Sequence, residues 1–206
     1  MTIIPQSEVN ILELQEQILQ GSVLVYPTET CYGLGADATN ASAVDRIFHI
    51  KQREANKPVL VLFPNVEMLQ DFVEWNQDLE AIANLYWPGA VTVLAQSKPG
   101  SAFAPGVLNE NQEVAVRISS HTFVHELVST LGVPLVSTSA NVSGGQNPYH
   151  IADVVRDFEK QEYRPDIVID AGELPQIPPS TLVRVKNGLV EVLRQGSVHV
   201  QLNASE

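Results

Sequence analysis

The stretch Thr181-Leu182-Val183-Arg184-Val185-Lys186-Asn187-Gly188-Leu189-Val190-Glu191-Val192-Leu193 settles which class of fold to expect. Two apolar-rich runs, 181–185 and 189–193, flank an Asn-Gly pair. That pair is the strongest short-range hairpin signal, because a two-residue turn of this type needs positive φ at both positions. Upstream, apolar strands and amphipathic helices alternate. Alternation alone reads as a parallel sheet; a hairpin at the end makes the sheet mixed. The expectation is α/β, one domain over residues 1–206, with helices packed on a mixed sheet.

Towards the N-terminus the elements follow from the same patterning. Ile167-Val168-Ile169 reads as a strand behind a helix over 150–159. Pro134-Leu135-Val136 is a strand that runs into the polar stretch Ser137–Gly145, and a helix over 121–131 precedes it. Val91–Leu94 and Val114–Ile118 are strands on either side of a Pro/Gly/Asn-containing loop at 97–112. Residues 66–86 read as two short helices ending at Trp87-Pro88-Gly89, and Val59–Phe63 as a buried strand closed by Pro64. Asn40 caps a helix that turns Val44, Ile47 and Phe48 to one side. Val23–Tyr26 is a strand ended by Pro27, and the ten residues after it, with Thr28, Thr30, Gly33 and Gly35, read as a loop. A first helix is expected over 7–20, with Ser7 as N-cap and Gly21 at its C-terminal end.

Composition narrows the function. Of 206 residues, 44% are apolar and 17% charged, which is a globular composition. Twelve Lys and Arg against twenty-four Asp and Glu leave a net charge of −12, with a pI near 4.7. Such a surface repels phosphate backbones and anionic membranes, so charge-driven nucleic-acid binding is disfavoured. A single cysteine, Cys31, excludes an internal disulfide framework and a cysteine-rich zinc site. The N-terminus has no basic segment followed by an apolar one, and no apolar run approaches the roughly 18 residues of a membrane span. A soluble cytoplasmic protein is the expectation.

The basic residues are unevenly placed. Residues 1–45 and 58–97 contain none, yet Arg46, Lys51, Arg53 and Lys57 fall together. On a continuous helix Lys51 and Arg53 would diverge by about 200°; past a helix end they would share a face. A cationic patch on an acidic protein suits a compact anion such as a nucleoside triphosphate. A solvated helix C-terminus explains the same charges. Ser137-Thr138-Ser139-Ala140-Asn141-Val142-Ser143-Gly144-Gly145 follows a strand, where ligands bind in open α/β sheets; an ordinary polar turn reads the same way. Pro27–Gly35 also follows a strand, but its Gly33-Leu34-Gly35 lacks the rest of a dinucleotide fingerprint. Cys31 reads as a buried neutral thiol. His121 and His125 are spaced as a helix-surface pair without a third metal ligand.

Seven segments in order carry a resemblance: Pro27–Gly35, Lys51-Gln52-Arg53, Trp87-Pro88-Gly89, Val114–Arg117, Ser137–Gly144, Ser180-Thr181-Leu182 and Leu193-Arg194-Gln195-Gly196. Together they resemble the YrdC/TsaC family of threonylcarbamoyl-AMP synthases in its short bacterial form. The likeness runs from about residue 8 to 196 and leaves 197–206 as a tail. It implies an open twisted sheet with a concave cavity. It implies the formation of threonylcarbamoyl-AMP, pyrophosphate and water from L-threonine, bicarbonate and ATP. Other proteins would then pass the threonylcarbamoyl group to adenosine 37 of tRNA, with weak or no direct tRNA binding by this chain. Mg²⁺ is implied as a companion of ATP, with no protein ligand motif of its own.

Residue by residue, the family's KxR…SxN tetrad falls on Lys51, Arg53, Ser139 and Asn141, which the resemblance makes catalytic. Arg53, Lys57, Ser139, Asn141 and Arg194 match ATP-binding positions. Thr30, Arg117, Ser137 and Ser180 match positions around the threonine. The chain departs from the common pattern at Glu54, where proline usually follows the arginine. Lys57 stands where asparagine is frequent, and Leu62 where longer members carry a histidine. A YciO-like paralogue, a carbamoyl-phosphate-dependent adenylylating enzyme and an RNA-binding or ribosome-maturation module of the same fold are the competing readings.

Overall fold

The computed structural model describes residues 1–53 and 59–202. Ten strands form one mixed sheet, ordered β1-β8-β2-β3-β7-β4-β6-β5-β9-β10. In chain order these are β1 (Thr2–Pro5), β2 (Leu24–Tyr26), β3 (Gly33–Gly35), β4 (Leu60–Leu62), β5 (Val91–Gln96), β6 (Glu113–Arg117), β7 (Leu135–Ser139), β8 (Ile167–Asp170), β9 (Thr181–Lys186) and β10 (Leu189–Arg194). Four neighbouring pairs are parallel (β1 with β8, β8 with β2, β4 with β6, β5 with β9) and the other five antiparallel. The closing hairpin forms as expected, with Asn187 at φ 53° and Gly188 at φ 76°.

Among the described residues six α-helices pack on the sheet: α1 (Ile11–Leu19), α2 (Ala41–Lys51), α3 (Val66–Phe72), α4 (Gln77–Tyr86), α5 (Thr122–Leu131) and α6 (Ile151–Phe158). Asparagines start four of them, since Asn10, Asn40, Asn65 and Asn76 accept hydrogen bonds from first-turn N–H groups that lack helical partners. One buried cluster centres on Val25, Leu34, Ile47, Val61, Val116 and Val168; a second joins α1 and α5 through Leu14, Ile18, Leu127 and Leu131.

Four expectations are corrected. The first helix begins at Ile11 under an Asn10 cap, and Gln6–Glu8 form only a 3₁₀ turn, so Ser7 is no N-cap. Thr2–Pro5 is a strand that pattern reading misses, because an edge strand with mostly exposed side chains shows no buried run. Gly33–Gly35 is strand rather than loop, inserted antiparallel between β2 and β7. A Cβ on Gly35 would stand 2.6 Å from the Val136 carbonyl oxygen and 2.7 Å from the Tyr26 ring, so only glycine lets these strands close. Finally, within the segment set apart as a tail, the described residues 197–202 pack on the fold. Val200 is buried, and the Tyr86 hydroxyl donates to the Gln201 carbonyl at 2.8 Å.

Candidate active site

A cavity of about 280 Å³ crosses the central strands. Thr30, Arg53, Arg117, Ser137, Ser139, Ser180 and Arg194 all line it, together with Thr28, Cys31, Thr92 and Asn147. Strand register explains the gathering. Ser137, Leu60 and Ala115 stand side by side across β7, β4 and β6, and Thr92, Leu182 and Arg194 across β5, β9 and β10. Both rows face the cavity. In a flat sheet β7 and β10 would lie about 24 Å apart, five spacings of roughly 4.8 Å. One cavity touching both means that the sheet curls.

Helix α2 ends between the two cationic residues of the KxR segment. Gln52 adopts the left-handed conformation (φ 50°), and the Arg53 N–H closes back on Phe48 O at 3.0 Å. Arg53 thereby lines the cavity, whereas Lys51 turns into the protein and is buried. The Lys51 ammonium donates to the carbonyl oxygens of Ser139 and of Asn141 (2.9 Å) and to Asn141 Oδ1 (3.3 Å). Ser139 Oγ donates to Asn141 Oδ1 at 2.6 Å, and Asn141 Nδ2 to Gly145 O at 2.7 Å. Lys51 and Asn141 therefore do not stand on the cavity wall; they hold the turn that carries Ser139. Burial and the neighbouring Arg53 push the Lys51 ammonium down to about 7. Lys57 and Glu54 lie outside the described residues. Arg46 does not join the patch: it pairs with Asp166 at 2.8 Å and bonds Gly21 O.

At the far end of the sheet, the pairing shifts register between Val192 and Arg194, leaving Leu193 as the extra residue of a bulge. Arg194 then reaches Ser180, donating to its carbonyl at 3.0 Å and its hydroxyl at 3.2 Å. Thr92 and Ser180 share a hydrogen bond of 2.8 Å. Gly196 explains the end of that motif, since a Cβ there would meet Ser180 C and Thr181 N at 2.5 Å. Burial and Arg117 hold the Arg194 guanidinium below its ordinary range. Arg117 ends β6, is buried, and faces Glu29 at 3.4 Å while its Nε lacks a partner. The wall thus carries three arginines and, among the described residues, no carboxylate. Such a surface takes anions.

The Thr28–Cys31 loop is a tight hydroxyl-stapled turn. Thr28 Oγ1 donates to Cys31 O at 2.6 Å and accepts from the Thr30 and Cys31 amides at 3.1 and 3.2 Å. Burial pushes the Cys31 thiol up to about 11, so it holds its proton at neutral pH. Trp87-Pro88-Gly89 is not on the wall; it ties β5 to β6 through Gly89 N to Ile118 O (2.9 Å) and Trp87 Nε1 to Val91 O (2.6 Å). Asn147 and Thr92 escaped the sequence reading, because one asparagine beside Pro148 and one threonine inside a strand carry no pattern of their own.

The Sua5/YciO/YrdC model, described as telomere recombination, matches residues 16–196. The chain belongs to this family. Among its relatives, a Bacillus subtilis threonylcarbamoyl-AMP synthase is 30% identical over 180 residues, 87% of this chain and 51% of that protein. A Methanocaldococcus jannaschii protein provisionally given the same name is 29% identical over 188 residues, 91% of this chain and 86% of that one. The crystal structure of P. abyssi Sua5 complexed with L-threonine superposes with a TM-score of 0.83 at 29% identity, covering 95% of this chain and 56% of that one. This family member spans about half the length of the Bacillus subtilis and P. abyssi proteins.

Proposed function

We propose that the protein is an L-threonylcarbamoyladenylate synthase, supplying the adenylate for threonylcarbamoylation of tRNA adenosine 37. The observation that carries this is the convergence of Arg53, Arg117 and Arg194, from three separate family segments, on one cavity edged by hydroxyls and, among the described residues, by no carboxylate. Arg117 grips the threonine carboxylate, and the hydroxyls of Thr30, Ser137 and Ser180 face its amine and side chain. Arg53 and Arg194, with Lys57, Ser139 and Asn147, hold the nucleotide. Lys51 and Asn141 keep the turn around Ser139 in shape.

The reaction balances in two steps. The threonine amine attacks the carbon of bicarbonate; water leaves and an N-carboxylate forms. That carboxylate attacks the α-phosphorus of ATP, and the bond to pyrophosphate breaks. Neither step requires a protein nucleophile. Placement and neutralisation of the crowded phosphate charge supply most of the acceleration. Mg²⁺ would accompany the phosphates as part of the nucleotide substrate and offset their charge, and among the described residues the wall offers it hydroxyls and no carboxylate. A recess excludes bulk water, which would hydrolyse both the carbamate and the mixed anhydride. The product passes to partner proteins that modify tRNA in the cytoplasm. The net charge of −12 disfavours direct tRNA binding. Among the described residues no helix is long and apolar enough to cross a membrane.

The test is pyrophosphate release and adenylate formation with ATP, L-threonine and bicarbonate. The expected result is dependence on all three. Release independent of threonine or bicarbonate overturns the proposal, as does activity that needs carbamoyl phosphate in their place.

A further inference from the structure

Four buried side-chain polar atoms among the described residues lack a hydrogen-bond partner: Tyr26 Oη, Glu29 Oε1, Arg117 Nε and His121 Nδ1. They are neighbours: the charges of Glu29 and Arg117 act on the Tyr26 hydroxyl, and that of Glu29 on the His121 ring. Glu29 Oε1 lies 3.4 Å from Arg117 Nη1, and its other oxygen accepts from Ser119 Oγ at 2.6 Å. Ser119 Oγ in turn accepts from the His121 N–H at 3.2 Å, where α5 begins. A chain of contacts therefore runs from the start of α5 through Ser119 and Glu29 to the guanidinium at the end of β6. Glu29 does not line the cavity; Arg117 does.

A buried guanidinium that faces one carboxylate among the described residues still has donors to spend. Each buried polar atom left unsatisfied costs a fold stability, and natural structures keep few of them. Their gathering around the Glu29–Arg117 pair marks a group held for a partner that is not part of the chain. The arrangement fits a brace. The α5 turn fixes Ser119, Ser119 fixes the Glu29 carboxylate, and the carboxylate fixes the plane of Arg117.

We propose that Glu29 is the positioning residue of the amino-acid subsite: held by Ser119, it aims the Arg117 guanidinium so that two parallel N–H groups meet the substrate carboxylate. This rests on the reading of Arg117 as the carboxylate grip. A two-pronged contact needs a fixed plane, which a flexible arginine does not supply by itself. Glu29 acts through Arg117 and does not touch the nucleotide side of the cavity.

The experiment measures KM for threonine, kcat and the Kd for ATP in Glu29→Gln, Glu29→Asp, Ser119→Ala, Arg117→Ala and the Glu29→Gln/Arg117→Ala double variant, with melting temperatures for each. Glu29→Gln keeps the shape and removes the charge. It should raise the threonine KM about tenfold or more while the ATP Kd stays within about twofold. Ser119→Ala should move the same constant in the same direction by about threefold, and it tests the brace even where the Glu29 variants fold poorly. Glu29→Asp should recover part of the loss. In the Arg117→Ala background Glu29→Gln should add nothing. An unchanged threonine KM in Glu29→Gln, equal losses for both ligands, or the same fold-loss with and without Arg117 overturns the inference. If Arg117→Ala itself leaves the threonine KM unchanged, the reading of Arg117 fails; if only the Glu29 and Ser119 variants are silent, the brace alone fails.

Discussion

Lys51→Met separates two roles that the KxR segment could give its lysine. Methionine fills nearly the same space and keeps the apolar contacts of the stem. It removes the ammonium that bonds Ser139 O, Asn141 O and Asn141 Oδ1. Ser139 O keeps the Asn141 N–H and Asn141 Oδ1 keeps the Ser139 hydroxyl, so Asn141 O is the acceptor that loses its donor, and a buried acceptor so deprived costs about 1–3 kcal/mol. At roughly 2–4 °C per kcal/mol for a chain of this size, the melting temperature should fall by about 2–12 °C. Affinity for ATP and threonine should fall together, because Ser139 and Ser137 share β7 and the turn at 139–145 shifts with the loss. Calorimetric melting, with isothermal titration of each ligand, reads all three quantities. A melting temperature within about 1 °C of wild type, combined with loss of ATP affinity alone, refutes the clamp and returns Lys51 to the nucleotide. The pH dependence is a further check. Lys51 sits at about 7 in the folded chain and 10.5 in an exposed lysine. Between those values the unfolded chain binds the extra proton, so wild-type stability gains from rising pH there. Lys51→Met lacks that gain, and the gap between the two proteins should widen from pH 7 to 9.

Cys31→Ser should keep most of its activity, since the thiol is protonated and the proposed reaction uses no thiolate; a loss in kcat beyond about a hundredfold, some 2.7 kcal/mol, contradicts this. Arg194→Ala should weaken ATP binding by about ten- to a hundredfold with threonine affected only by linkage, and Arg117→Ala should do the reverse. Titration calorimetry on both decides it, and a swapped pattern breaks the division of the cavity. Gly196→Ala should melt several degrees lower and lose ATP affinity, because the added methyl meets the backbone of 179–181 and displaces Ser180 from Arg194; unchanged melting would mean that the close approach is not maintained in solution.

Local patterning was enough for most of the elements. The Asn187-Gly188 hairpin, the Asn40 cap and the apolar runs at 59–63 and 114–118 are short-range features, in which a few neighbouring residues choose the conformation. The family segments likewise point to Arg53, Ser139, Ser180 and Arg194 without any geometry, because an ordered series of motifs is itself a linear property. Gly33–Gly35 was not legible. Two glycines in three residues favour a loop, and only the approach of Val136 and Tyr26 makes them the one residue type that fits a strand there. Lys51 was legible as a cation but not as a clamp. Its direction depends on the left-handed turn at Gln52 and on a strand 88 residues away. Glu29 and Ser119 carry no mutual signal over 90 residues of sequence. Their meeting depends on the sheet order that brings the β2–β3 loop over the end of β6. Side-chain type is written residue by residue, whereas which charges share a cavity is decided by strand register and sheet curvature, and these are properties of the assembled chain alone.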